Sequence, residues 1–354
     1  EGLSIALIFD ADFQANTNAD TITPTMTATA KSSRTVTPVT SIITKASLFG
    51  TKNNIFNEFQ ANVPITTINI TPTNVAIGMS SINEDAYKIN INKKSYKVIF
   101  DKFKKKIKSG ETYQIKICTK YSNKSEIDAL DLFCRLVKSN MAPEAFMIKD
   151  KNYSIISCSP ENLITKKNNF ITTKPIAGTL KKTKKLNKNK ALTFFRKNLK
   201  ETKEHNMIVD MERNDLSKIC KPGSVKILKK KIVEEYKDLY HYVSLIRGQL
   251  KNKVTSLEII KAMMPGGSVI GCPKISTLNL LNKQEKQSRN IYTGSFGYLK
   301  FNGDMRFNII IRSILNFKGK SEISVASGVV IDSNAAHEFN ENYIKAKSLM
   351  DLYK

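Results

Sequence analysis

Tryptophan is absent, histidine occurs only three times, and acidic residues are scarce: 31 Asp+Glu stand against 57 Lys+Arg, a formal charge of +26 over 354 residues. No run of about 18 uncharged apolar residues occurs, which argues against a membrane-spanning helix. Residues 1–30 lack the basic start and continuous apolar stretch of a secretory leader, so export is not expected. The first residue is Glu rather than Met, and the numbering is expected to begin inside a longer chain. The five cysteines, Cys118, Cys134, Cys158, Cys220 and Cys272, are widely spaced and form no C-x-x-C pair. That pattern argues against a disulfide framework or a zinc site and fits a reducing, cytoplasmic setting. There is no internal repeat and no nucleic-acid-binding motif. The basic charge is spread along the whole chain in stretches such as "KFKKKIKSG" and "LKKTKKLNKNK", with Asn abundant beside it. We read it as a solvated basic surface and expect neither a nucleic acid nor a membrane as partner.

What is present is a globular composition, 41% hydrophobic, on a chain long enough for one large core or two ordinary ones. Residues 17–45 are Thr-rich and poor in large apolar side chains, so a loop or irregular strands are expected there. "ITTINI" (65–70) alternates like a half-buried strand. Tyr96, Ile99, Phe100, Phe103 and Ile107 recur at helical spacing up to Gly110, a C-terminal cap. "TYQIKICTKY" reads as a strand, 126–139 as a helix, and 188–218 as one long helix. Strands follow in "VKILK" and "YHYVSLIRGQL", then a helix capped by Thr255 or Ser256 and another begun by Pro273. "NIYTGSFGYLKF", "MRFNIIIRSILNF" and "EISVASGVVI" each read as one strand, and 334–352 as the last helix. Runs of strands followed by helices indicate an α+β fold with a largely antiparallel sheet arrangement.

Against this basic background, residues 200–215, "KETKEHNMIVDMERND", concentrate Glu201, Glu204, Asp210, Glu212 and Asp215. Glu201 and Glu204 stand three apart, so a helix projects both from one face. Glu338 and Glu341 repeat that spacing on the last helix. Two facing E-x-x-E pairs offer hard oxygen ligands of the kind that suit Mg²⁺, although by spacing alone each pair is more often a solvated helix face than a ligand pair.

Six segments occur in order: "PIAGT" (175–179), "EHNMIVDMERNDLSKICKPGSVKI" (204–227), "PGGSVIGCPK" (265–274), "YTGSFGYL" (292–299), "FNIIIRS" (307–313) and E-x-x-E-x-x-x-K over 338–345. Together they resemble the chorismate-utilising enzymes, in particular component I of anthranilate synthase and of aminodeoxychorismate synthase. The resemblance spans about residues 95–350 and leaves 1–75 as an atypical N-terminal region before a catalytic domain over 76–354. It implies two α/β subdomains forming a β-sandwich with helices outside and the active site between the sheets. It also implies that Glu204 and Glu341 bind Mg²⁺ directly, that Glu201 and Glu338 support them, and that the cation orients a carboxylate of chorismate. Arg312 and Lys345 match the positions that hold the second carboxylate; Ser268, Tyr292, Gly328 and Lys274 match further substrate-binding positions. Glu161 in "SCSPENL" stands where relatives carry the acid that protonates the departing 4-hydroxyl, and His241 matches an active-site histidine. His205 and His337 only neighbour the metal positions.

The resemblance also bears on which reaction is run. Water-adding relatives, the isochorismate and salicylate synthases, carry a basic Lys where this chain has Gln114, and an amide cannot deprotonate water. Ammonia needs no such base. Many C4-aminating relatives carry a nucleophilic Lys at the third position of "PIAGT", where Ala177 stands here; this favours amination at C2, giving anthranilate and pyruvate. "PGGS", "YTGS" and "FNIIIR" look instead like the aminodeoxychorismate branch, so both products stay open. Ala326 and Ser327 depart from the glycines usual before Gly328. No Cys–His pair of a glutaminase is visible, so a separate glutamine amidotransferase is expected to supply the ammonia, or free ammonium to serve.

Overall fold

A computed structural model describes residues 87–124, 127–140, 142–236 and 239–354, together with the backbone of three earlier strands, Ser4–Ala15, Ile22–Ala28 and Thr44–Lys45. The strand expected at 65–70, most of the Thr-rich 17–45 segment and the expected boundary near residue 75 lie outside the described residues.

The described strands form two sheets in which all described pairings are antiparallel. The larger has ten strands: Ile176–Lys181, Leu239–Gln249, Phe170–Lys174, Asn162–Lys167, Met305–Asn308, Ser295–Lys300, Ser4–Ala15, Ile22–Ala28 and Thr44–Lys45 in spatial order, with Lys226–Glu235 also paired to Leu239–Gln249. The smaller has seven: Gly271–Cys272, Gln114–Lys124, Lys320–Val329, Ser313–Phe317, Tyr153–Ser159 and Glu144–Lys149, with Lys88–Ile89 also on Gln114–Lys124. One core joins them: Ile115, Ile117 and Val329 of the smaller sheet pack in a single cluster with Leu163, Ile164, Ile171, Met305 and Phe307 of the larger. The α+β reading therefore holds, with helices added around paired sheets.

Several helices follow their signals closely. Lys93–Lys108 buries Tyr96, Phe100, Phe103 and Ile107, the stripe at helical spacing, and turns out through Gly110 at φ 78°. Ser256–Met263 starts on a complete capping box between Thr255 and Glu258.

Two expected elements are broken, and both breaks position the site. The helix read over 188–218 is two, Lys188–Lys197 and Leu199–Ile219, because Asn198 adopts an extended conformation. Its backbone N–H closes the first helix on Phe194 and Phe195, while its Oδ1 accepts from the Glu201 N–H to open the second. The run "MRFNIIIRSILNF" is likewise not one strand. Met305–Asn308 belongs to the larger sheet and Ser313–Phe317 to the smaller, so residues 309–312 cross between them. Arg312, at φ 50°, ends the crossing. In "NIYTGSFGYLKF" only Ser295–Lys300 is strand; Arg289–Gly294 forms tight turns, with Thr293 and Gly294 bonded to Ile310 of the crossing.

Candidate active site

The two E-x-x-E helices, Leu199–Ile219 and Ala335–Met350, meet. Lys200 Nζ of the first donates to Glu338 Oε1 of the second at 3.0 Å. Burial disfavours this ammonium, but Glu338, followed by Glu341 and Glu204, more than restores it. Glu338 is almost fully buried, and its other oxygen, Oε2, has no hydrogen-bond partner. Glu341 is held at 2.6 Å by Lys345, which also donates to the Ala326 carbonyl at 2.9 Å. Burial works against the Glu341 carboxylate, yet Lys345, Lys116 and Lys200 together keep its pKa below the usual value.

Glu204 is the best-secured carboxylate. Its Oε1 accepts from Lys116 Nζ at 2.8 Å and from Gln114 Nε2 at 2.7 Å. Burial alone would raise its pKa, but these two donors hold it down to about 2. Glu201 is the opposite case: burial and the neighbouring Glu204 both push it up. Glu204 and Glu341 thus both act on Glu201, and Lys200 bridges the first helix to Glu338 on the second; a cluster of hard oxygen donors with an unsatisfied buried atom, Glu338 Oε2, fits a divalent cation such as Mg²⁺. Ligand-capable atoms of His337, Glu338 and Glu341 lie within 4.8 Å of one another. His337 is exposed, Glu338 buried and Glu341 half-buried, so we regard the two carboxylates as the relevant donors.

Gly328 sits against the Glu204 donors. A Cβ there would lie 2.7 Å from both Gln114 Nε2 and Lys116 Nζ, so only glycine leaves these groups in place. Ser327 beside it has found a partner in the Tyr96 hydroxyl at 2.7 Å. Tyr292 is buried with Cys118 and Ala326, and burial raises its phenol pKa.

Glu161 lies between the short helix Gly267–Ile270 and the strand Ile176–Lys181. Burial raises its pKa to about 7; the Ser268 hydroxyl, Lys116, the Ile176 backbone and Arg312 offset part of the shift. By strict hydrogen-bond geometry both Glu161 Oε1 and Ser268 Oγ are buried without a partner, so the Ser268 contribution is one of proximity. The glycines before Ser268 are forced by packing, since a Cβ at Gly267 would overlap Met211 and one at Gly266 would strike Ile309. Arg312 is mostly buried; among the described residues its guanidinium makes one long bond, Nη1 to Asn140 Oδ1 at 3.4 Å. Burial lowers its pKa, with Cys158 and Glu161 opposing. It in turn acts on His241, which burial and Arg312 keep neutral, with a pKa of about 4, and whose Nδ1 meets Thr179 Oγ1 at 3.0 Å. Ala177 is buried on the strand after Pro175, between the Glu161-facing Ile176 and Gly178, whose added Cβ would meet Phe195 and Glu201.

Lys274 is engaged elsewhere: it is buried in an ion pair with Asp215 at 2.5 Å and donates to the Met263 carbonyl, a position that ties helices together and leaves it no free donor for a substrate anion. Asp215 is shared with Lys218. Glu212 from the same acidic run is buried, bonded to Thr173 Oγ1 at 2.6 Å, and pushed well above the usual carboxylate pKa by burial. His205 is a packed core residue, bonded to Ser244 Oγ at 2.7 Å and depressed to about 4 by burial. Sequence reading missed Lys116 and Lys200. The usable signal for Lys116 was its place two residues after Gln114 on one strand, which puts both side chains on one face.

Comparisons with known proteins give the family and the fold. The model of the chorismate binding enzymes matches residues 7–351, reaching into the N-terminal segment that carried no motif. Aminodeoxychorismate synthase component 1 of Bacillus subtilis is 35% identical over 247 residues, which cover 70% of this chain and 53% of that protein. Anthranilate synthase component 1 of Mycobacterium tuberculosis is 32% identical over 266 residues, covering 72% of this chain and 51% of that protein. The chain thus spans about half the length of these curated relatives. The crystal structure of anthranilate synthase component I from Streptococcus pneumoniae superposes with a TM-score of 0.71 at 24% identity, over 98% of this chain and 80% of that one. That of MenF, the menaquinone-specific isochorismate synthase from Escherichia coli, superposes with a TM-score of 0.70 at 19% identity, over 84% of this chain and 68% of that one. Among the described residues no helix is long and apolar enough to cross a membrane.

Proposed function

Since the chain belongs to the chorismate binding enzymes, and within them to the aminodeoxychorismate/anthranilate synthase type, we propose that it aminates chorismate with ammonia in a Mg²⁺-dependent reaction and forms anthranilate, pyruvate and water. The observation that carries the reading is the junction of the two E-x-x-E helices, where Lys200 reaches Glu338 and also feels Glu341 and Glu204, and where Glu204 and Glu341 both act on Glu201. Glu204 and Glu341 would hold the cation directly, with Glu201 and Glu338 in support. Bound there, Mg²⁺ would neutralise and orient a substrate carboxylate.

The chain's own residues account for the rest. Arg312, whose guanidinium makes one long bond among the described residues, is suited to clamp the second carboxylate in two parallel hydrogen bonds. Lys345 stands on the same face as Glu341, tethered to it, and adds positive charge at the edge of the pocket. Glu161 retains its proton close to neutral pH and has an unbonded buried oxygen, the properties of a general acid that protonates the departing 4-hydroxyl. His241, neutral, offers a hydrogen bond without adding charge. Gln114 spends its amide on Glu204 and supplies no base for water, which supports ammonia as nucleophile. Gly328, Tyr292 and Ser268 shape the pocket wall.

Ala177 offers no amine for covalent attack, which favours the C2 product. A second reading, 4-amino-4-deoxychorismate, is favoured by the "PGGS", "YTGS" and "FNIIIR" segments and by the similarity to the Bacillus protein. The names of the component 1 relatives support a separate second component, which we assign as a glutamine amidotransferase delivering ammonia. Incubation with chorismate, Mg²⁺ and ammonium at pH 8, resolved by chromatography, decides between them: anthranilate is expected by its fluorescence, a persistent aminodeoxychorismate peak supports the second reading, and isochorismate or no consumption refutes both.

A further inference from the structure

Three of the four carboxylates assigned to the metal carry a lysine of their own: Glu204 with Lys116 at 2.8 Å, Glu338 with Lys200 at 3.0 Å and Glu341 with Lys345 at 2.6 Å. The acidic cluster is thus almost neutralised from within. The three lysines are not equivalent. Lys200 and Lys345 keep 36% and 44% of their side chains exposed and lie on helix surfaces, so they can swing into water when a dication arrives. Lys116 keeps 11% and springs from Gln114–Lys124, a strand paired along its length with Lys320–Val329 and buried on both faces. Gln114 flanks it, Gly328 lies opposite, and its backbone carbonyl is fastened by Arg289 at 3.0 Å. Its ammonium has nowhere to retreat.

Resting on the metal reading above, we propose that Lys116 is a resident counter-cation that competes with the divalent metal for Glu204. One oxygen of Glu204 already carries two donors, so a metal ion would bind through the other, Oε2, only a few ångströms from a fixed positive charge. Like charges at that separation repel strongly in a poorly hydrated site. The substrate's two carboxylates relieve the excess positive charge, so metal and substrate affinities are positively linked and neither is tight alone. Lys116 acts through Glu204 and is a positioning residue. A purely supporting role predicts the reverse: without Lys116, Glu204 would wander and the metal would bind less well.

The sign of one measurement separates the two. Mn²⁺ binding to the purified full chain, without chorismate, is followed by the loss of the free-ion electron paramagnetic resonance signal in wild type, Lys116→Met, Lys116→Arg and Glu204→Gln. Lys116→Met is expected to bind Mn²⁺ at least tenfold more tightly than wild type, and Lys116→Arg, which keeps the charge, within about threefold of it. Equal or weaker binding by Lys116→Met, with a melting curve that shows it folded, overturns the proposal. If Lys116→Met does not fold, Lys116→Gln, which keeps a donor for Glu204 but no charge, is read the same way. Saturable binding in wild type or Lys116→Met that Glu204→Gln leaves untouched overturns the metal assignment itself, a result distinct from an unchanged Lys116→Met affinity.

Discussion

Replacing Glu161 by Gln should make the protein more stable at alkaline pH while removing its acid. The carboxyl is fully enclosed, and burial moves its pKa from 4.5 to about 7. The unfolded chain ionises this group near 4.5, whereas the folded chain holds the proton until about 7. Between those values the unfolded state binds fewer protons, so the contribution of Glu161 to stability falls as pH rises through that window. The full shift corresponds to about 3 kcal/mol, expressed above pH 7 and absent below pH 4.5. Gln has the same shape and no such charge, so Glu161→Gln escapes the penalty. Urea unfolding of both proteins at pH 5 and pH 8 should give a stability difference that moves in favour of the variant by about 2–3 kcal/mol between the two pH values. At the same time chorismate turnover with ammonium should fall by at least about a hundredfold. A stability difference independent of pH would refute the buried, proton-retaining carboxyl, and an active Glu161→Gln would refute its role as acid.

For the free wild-type enzyme at a fixed concentration of free ammonia, kcat/KM for chorismate should decline as pH rises through about 7, because the acid must be protonated; a flat profile under that condition would refute this. Glu204→Ala should abolish Mg²⁺-dependent turnover and, by leaving Lys116 buried without its partner, cost roughly 3 kcal/mol in urea unfolding. Gly328→Ala should fold, since the added methyl meets only the ends of Gln114 and Lys116, yet displace both from Glu204 and lower kcat by at least about tenfold. Arg312→Ala should raise KM for chorismate by about thirtyfold, the loss of roughly 2 kcal/mol of charge-assisted hydrogen bonding, with little change in the unfolding midpoint.

The helices at Lys93–Lys108 and Ser256–Met263 were legible because their signals are local: an apolar stripe in one case, a capping box in the other. The strand from Met305 to Phe317 misled for a nonlocal reason. Three consecutive isoleucines read as one strand core, but Ile309 and Ile310 are buried where the chain passes from one sheet to the other, and apolar character is the same on either side of that passage. Asn198 misled in a similar way, since one residue caps two helices at once and no Pro or Gly marks the break. Within the site, the E-x-x-E pairs were visible as spacing, but their assignment and that of Glu161 came from the family resemblance, which says nothing of Lys116. In a chain with so many lysines, one more on an alternating strand carries almost no information until its burial is known.

That same abundance gives the acidic run its meaning. The run "KETKEHNMIVDMERND" does not act as one charged patch. Asp215 is spent on Lys274 and Lys218, and Glu212 is buried against Thr173, whose hydroxyl donates to it, with its pKa pushed up by burial, so both serve the packing of Leu199–Ile219. Only the first turns of the helix, carrying Glu201 and Glu204, face Ala335–Met350, and there the basic composition supplies Lys200, Lys345 and Lys116 as counter-charges. Carboxylates left without such partners would repel one another and force the helix ends apart before any cation arrived. On the metal reading proposed above, the lysines would let these carboxylates gather in advance, and Lys116, the buried one, would be the charge that a cation at Glu204 has to compete with.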